Sequence, residues 1–459
     1  MTRKLVIFND HSWSVSQYRS KRRPVLGNAT LAERCLLQEG KSGARQISLL
    51  QNDHQETWSL SRFMRRTFGT GLKDEIIEGY HFLVHNYMPG DEIFLFGAGR
   101  GGFALQCLAE MISTSGLLQI ESLSNINKAY IYSHLTGAAR RGLSGQALKN
   151  TFKSRMVPIR FLGCWDSIGS SGAPTRGLRS LSILWSEYLS ENISSNVQSA
   201  YQALALDENN PARIPHIWTG VKSENFRRLE QVWFAGNHEN ITGGQRDSRL
   251  SDIAFQWLIN KASEEGLEFD ADKIDDFSTP NSMGCVSEPG NLDAVMKKIG
   301  FKSMLRKIGK ADTHLSRSQI PGTEKIHYSV IEKDLKDTSY TPKAYDSLPP
   351  GAIGVALDRD AIHKSNRKFD RIQVNCPATL LVDHSRYNGN VIDFSEGGAR
   401  IWMHLDIDVG TPIKLRSSVL MDEEHEGHVV WAKDQSVGVA FQNVLDLSKV
   451  HIPEGYTLQ

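Results

Sequence analysis

The chain has 459 residues, 53 Lys+Arg against 52 Asp+Glu, a formal net charge of +1, and 40% hydrophobic residues. That charge balance removes the electrostatic case for a nucleic-acid binder, and the length allows two or three domains. Five cysteines (Cys35, Cys107, Cys164, Cys285, Cys376) lie far apart with no C-x-x-C pair, which argues against a zinc site and a disulfide framework and fits a reducing compartment.

The elements follow in chain order. Leu5–Phe8 is too short for a signal-peptide core, and Lys4–Phe8 is predicted as a buried first strand ending at the polar loop Asn9–Trp13. Ile76, Ile77, Tyr80, Leu83 and Val84 have helical spacing and predict a helix over Lys73–Tyr87. A turn at Pro89-Gly90-Asp91 leads into a strand, Glu92–Phe96, and then a helix, Arg100–Met111. Pro158–Leu162 and Gln231–Phe234 are further strands, and Leu250, Ile253, Ala254, Trp257 and Leu258 mark another helix. This alternation predicts a doubly wound, mostly parallel α/β sheet, with function at the loops after Phe96, Gly163 and Phe234. Residues 263–365 lose the pattern and read as a cap or connector. From 366 short β-type runs separated by Gly, Asn and Asp predict a small antiparallel barrel to about 446, with a tail over 447–459. No run is apolar enough to cross a bilayer, and the cytoplasm is the expected location.

The segment Gly97-Ala98-Gly99-Arg100-Gly101-Gly102-Phe103 joins a strand to a helix as a nucleophile elbow does, but the position that carries serine in such elbows is Gly99. Three segments together resemble the catalytic domain of type VI secretion phospholipase effectors, which are α/β-hydrolases. They are this elbow, Leu162-Gly163-Cys164-Trp165-Asp166-Ser167-Ile168-Gly169, and Trp233-Phe234-Ala235-Gly236-Asn237-His238-Glu239-Asn240-Ile241-Thr242-Gly243-Gly244. The resemblance covers about residues 1–262. It implies that Asp166 orients an imidazole, that His238 stands at the general-base position, and that the backbone N–H of Arg100 and one from the Asp10–Trp13 loop stand at the oxyanion positions. Three residues depart from the family pattern: Gly99 replaces serine, Asn240 replaces aspartate, and His11-Ser12 replaces glycine-threonine. Read without the resemblance, Asp166 is a turn cap and His238 a locally bonded loop residue. Ser167, Ser170 and Ser171 follow Asp166 and could approach His238, though nothing in the spacing places them there.

Further on, Arg367-Lys368-Phe369-Asp370-Arg371 is an R-x-x-x-R element, and Asp393-Phe394-Ser395-Glu396-Gly397-Gly398 is a D-x-S-x-x-G element. In this order, ahead of a barrel pattern, the pair resembles the PilZ domain, a bacterial receptor for cyclic di-GMP. The ligand suits these residues. Arginine forks pair with phosphate or with a guanine edge, Asp393 accepts from guanine N–H groups, Ser395 adds a hydrogen bond, and Gly398 permits close backbone approach. The plain alternative is solvated linker arginines and a hairpin turn. The sequence reading is thus a cyclic di-GMP receptor without a metal. Its hydrolase-like lobe has lost its nucleophile and serves a protein partner of unknown identity. Two alternatives stay open: a cyclic di-GMP-regulated phospholipase or esterase with a non-standard nucleophile, and an adaptor without ligands.

Overall fold

The computed structural model describes residues 2–11, 19–20, 23–41, 43–52, 71–169, 192–210, 213–218, 220–221, 226–286, 306, 308, 324–337, 339–342, 344, 357–358, 372–382, 385–403, 407–417, 424–433, 436–446 and 450. It divides into two units, Met1–Ala361 and Ile362–Gln459.

In the first unit the apolar runs become strands buried on both faces. Leu5 and Ile7 enter one apolar cluster and Val6 and Phe8 the other, and Ile93 and Leu95 are likewise separated from Phe94 and Phe96. That is why these strands read as continuous apolar runs rather than as alternation. The strands are β1 (Lys4–Asp10), β2 (Gln46–Asn52), β3 (Glu92–Ala98), β4 (Ile159–Trp165), β5 (Val197–Ala205), β6 (Arg228–Phe234), β7 (Glu324–His327) and β8 (Leu357–Asp358). They form one eight-stranded sheet in the order β8-β7-β6-β5-β4-β3-β1-β2, and every neighbouring pair is parallel. Helices α1 (Asn28–Cys35), α2 (Leu72–Asn86), α3 (Arg100–Ser115), α4 (His238–Thr242) and α5 (Arg249–Glu264) make or follow the crossovers. Buried residues of α1 and α5 join one cluster, and those of α2 and α3 join the other, so both faces are covered.

The order turns back between β1 and β3. Their carboxyl ends therefore flank a topological switch point, where open α/β sheets leave a crevice. The backbone is drawn tight there. A Cβ on Gly97 would lie 2.4 Å from the Cα and the nitrogen of Gly102, so only glycine lets the end of β3 touch the first turn of α3.

The sequence pattern missed β2 and β5, in which Ser48, Ser199 and Gln202 interrupt the apolar run. The stretch 263–365 also does more than its loose pattern suggests, adding β7, β8 and a helix α6 (Tyr328–Lys336) to this unit. Glu324-Lys325-Ile326-His327 looks too polar for a buried strand. It is accommodated because the carboxylate of Glu324, 1% exposed, accepts from Trp233 Nε1 at 2.9 Å.

The second unit is a closed antiparallel barrel of six strands: β9 (Ile372–Val382), β10 (Ser385–Ser395), β11 (Gly398–Trp402), β12 (Pro412–Arg416), β13 (His425–Lys433) and β14 (Ser436–Phe441). Their order is β9-β10-β11-β14-β13-β12, and β12 closes on β9. Val374, Leu380, Val391, Phe394, Ile401, Val429 and Val439 are among the residues filling its interior. Closure leaves no free sheet edge.

Candidate functional site

The elbow forms as its glycines dictate. Gly99 caps α3 at φ +57° and ψ −121°, a region that favours glycine. Asp166 follows β4 at φ +46°, the only positive-φ residue other than glycine among the described residues. Strain of this kind collects at functional sites. His238 opens α4, seated by a capping box in which Asn237 and Asn240 bond each other's backbone nitrogens at 3.2 Å. Its own N–H reaches Glu208 Oε2 at 3.2 Å.

These three loops bring together the positions singled out in the sequence. His238 Nδ1 lies 2.6 Å from Asp166 Oδ2, with the side chains 1% and 0% exposed. An ideal Cβ built on Gly99 would stand 3.1 Å from His238 Nε2. The ring is thus aimed at the place where an elbow side chain begins. Nε2 is buried and has no hydrogen-bond partner among the described residues. Arg100 opens α3, so its backbone N–H is one of the four without an intrahelical acceptor. His11, at the end of β1, pairs through Nε2 with Glu75 Oε2 at 3.0 Å. Ser12 and Trp13 lie outside the described residues.

A fourth member has no signature along the chain. Arg306 is 6% exposed and lays its guanidinium on both oxygens of Asp166, Nη1 on Oδ1 at 2.5 Å and Nη2 on Oδ2 at 3.0 Å. It also donates to the carbonyls of Ala205 (2.9 Å) and Arg213 (2.6 Å). Burial by itself would raise the Asp166 pKa. The Arg306 charge and the hydrogen bonds from His238 and Arg306 outweigh burial and hold the carboxyl well below the usual carboxylate range. Because Asp166 is then ionised and accepts, Nδ1 of His238 must carry the donated proton. In the neutral ring that leaves a lone pair on Nε2, facing Gly99. A second buried pair sits behind, Arg213 with Glu208 at 3.1 Å, and Arg213 also reaches Glu239 at 2.8 Å.

In the barrel, Asp393 lies near the end of β10 and pairs across the strands with Arg400 of β11 at 2.6 Å, both side chains below 10% exposed. Ser395 donates to the Gly398 carbonyl at 3.4 Å across the tight β10–β11 turn. A Cβ on Gly398 would fall 2.2 Å from the Val439 carbonyl oxygen, so the backbones of β11 and β14 meet there directly. Arg367 and Arg371 lie outside the described residues.

A family model described as T6SS, Phospholipase effector Tle1-like, catalytic domain, matches residues 3–261, more than half of the chain. The chain belongs to the Tle1-like family. A PilZ-domain model matches residues 365–455. Among solved structures, the Tle1 effector bound to the VgrG spike is 15% identical, with 53% of this chain and 51% of that one covered at a TM-score of 0.30. The Escherichia coli YcgR PilZ domain with cyclic di-GMP is 12% identical, with 17% and 78% covered at 0.15. A curated relative, the uncharacterized Saccharomyces cerevisiae protein YEL023C, is 30% identical over 121 residues, 25% of this chain and 18% of its own length.

Among the described residues of the Tle1-like lobe, Ser167, Cys164 and Cys107 are engaged or buried. Ser167 is fully buried, and its Oγ accepts from Gln106 Nε2 at 2.8 Å on the α3 side. Burial pushes the Cys164 thiol up to about 12 and raises that of Cys107 well above the ordinary value, so neither offers a thiolate. Ser170 and Ser171 lie outside the described residues. The family's aspartate position, Asn240, is spent on the capping box and on a 3.3 Å bond to the Cys285 carbonyl. No group of His, Cys, Asp and Glu among the described residues could hold a metal ion, and no described helix is long and apolar enough to cross a membrane.

Proposed function

We propose that this chain is a cyclic di-GMP receptor whose Tle1-like lobe no longer hydrolyses esters and acts as an output or docking surface for a protein partner. The observation that carries the silent lobe is Gly99. Asp166 and His238 pair beside the elbow, and among the described residues no hydroxyl stands where Nε2 of His238 points. Loss of a triad nucleophile costs on the order of a million-fold in turnover in subtilisin. Receptor function rests on the PilZ match and on Asp393, Ser395 and Gly398 meeting at one hairpin of a closed barrel, with Arg367 and Arg371 preceding it in sequence. The fork of Arg367 and Arg371 would take the phosphates and guanine edges of the nucleotide. Asp393 is held by Arg400, so a guanine would have to share that carboxylate or displace the arginine.

Titration calorimetry of the full chain with cyclic di-GMP tests the receptor. Heat of binding that Arg367→Ala abolishes is expected. No heat, or an Arg367→Ala variant that binds like the parent, refutes it.

One observation favours a second reading, a cyclic di-GMP-regulated phospholipase or esterase. The Asp166–His238 pair is intact, and its Nε2 lone pair faces a position with no side chain, where a water could be deprotonated and attack an ester carbonyl directly. Phospholipid and short-chain ester turnover by the parent, lost in His238→Ala, would establish that reading and overturn the silent lobe.

A further inference from the structure

In a working triad the carboxylate does two things: it fixes the imidazole, and its negative charge stabilises the imidazolium formed when the ring takes the nucleophile's proton. Here the first function is intact and the second is opposed. Arg306 engages both oxygens of Asp166 and shares Oδ2 with His238, in a site where these groups are 0–6% exposed. Water does not screen the guanidinium there, so an imidazolium would form beside a fixed cation.

Glu208, which meets the His238 backbone, is paired with Arg213, and Arg213 also engages Glu239. Glu208 and Glu239 thus share Arg213, while Arg306 sits directly on both oxygens of Asp166. Arg306 lies outside the segment 3–261 matched by the family model, so the stretch between the family-matched lobe and the barrel supplies it.

We propose that Arg306 is a positioning residue that disarms the Asp166–His238 pair, holding the imidazole in its triad orientation while cancelling the charge that would let it accept a proton. This deepens the silent-lobe reading. The lobe is disabled twice, by a missing hydroxyl at Gly99 and by an arginine on Asp166, and restoring the hydroxyl alone leaves it slow.

A fluorophosphonate probe on the full chain tests this. In Gly99→Ser the introduced hydroxyl attacks phosphorus, its proton passes to Nε2 of His238, the oxygen–phosphorus bond forms and fluoride leaves. With Arg306 present, Gly99→Ser should label less than tenfold faster than Gly99→Ser combined with His238→Ala. Adding Arg306→Met, which keeps the stem and removes the charge, should speed labelling of Gly99→Ser at least tenfold. Adding Arg306→Lys, which keeps the charge, should leave it slow. A merely structural arginine would give no such split between Met and Lys.

Thermal unfolding checks that each variant is folded, and Arg306→Gln replaces the Met variant if that one is not. The proposal is overturned if Gly99→Ser already labels more than tenfold faster than its His238→Ala partner, or if neutralising Arg306 brings no gain. Ester turnover by the parent would instead sink the silent-lobe reading, and the labelling comparison would still report on Arg306.

Discussion

Replacing Gly99 by alanine and by serine separates backbone strain from the lost hydrogen bond. At φ +57° and ψ −121° an L-residue is strained, at a cost of about 1–3 kcal/mol. The new Cβ would also press on His238, 3.1 Å from Nε2 and 3.2 Å from Cε1, and that ring is held from behind by Asp166. Alanine should therefore destabilise the Tle1-like lobe by about 1–3 kcal/mol. Serine carries the same strain and the same Cβ, but its hydroxyl can donate to the buried Nε2, which has no partner among the described residues. A hydrogen bond of that kind is worth about 1 kcal/mol. Serine should thus be the milder change by about that amount. Urea unfolding followed by tryptophan fluorescence reads this directly, because Trp165, Trp233 and Trp257 lie in the lobe's core. Alanine that leaves the midpoint unmoved would refute the strain argument. Serine that is as damaging as alanine would refute the claim that Nε2 is aimed at the missing hydroxyl.

Further outcomes follow from the same geometry. Gly398→Val should unfold or badly loosen the barrel, since its Cβ would sit 2.2 Å from a β14 carbonyl oxygen; loss of dispersed barrel resonances by NMR checks this, and a well-folded barrel counts against the described β11–β14 approach. Asp252 in α5 is 1% exposed and accepts from Ser248 Oγ and Thr279 N at 2.8 Å each, and burial pushes its carboxyl up to about 7. Its folded-state pKa lies above the unfolded value of about 4. The folded chain therefore binds the extra proton, and this contribution to stability is full below about pH 4 and lost as the pH rises through 7. Asp252→Asn should accordingly stabilise the lobe more at pH 8 than at pH 4, by on the order of 2–4 kcal/mol in urea midpoints compared at the two values. Saturating cyclic di-GMP at about 100 times its Kd should raise barrel stability by about 2.7 kcal/mol, read as an upward shift in thermal unfolding.

Much of the site could be read along the chain. The glycine-rich turn between β3 and α3 follows from an apolar run meeting residues that alone tolerate its backbone, and the absent hydroxyl is a one-letter fact at Gly99. The alternation of apolar runs and helical spacings likewise gave the parallel sheet and the barrel, because burial on both faces of a strand, or on one stripe of a helix, leaves a local period. The longer segments around Asp166 and His238 marked those two residues through the family resemblance alone, and not the 2.6 Å contact between them.

Folding alone decided the rest. Arg306 reaches Asp166 across 140 positions, from a stretch that read as a cap or connector, and nothing in its neighbours sets it apart. Glu324 in β7 is of the same kind: a polar side chain buried against a distant partner, Trp233. A partner brought close by the chain's path leaves no spacing in the sequence. Local physics thus reveals the elements and the glycine turn, while the balance of charge inside the site exists only once the sheet has carried those loops together.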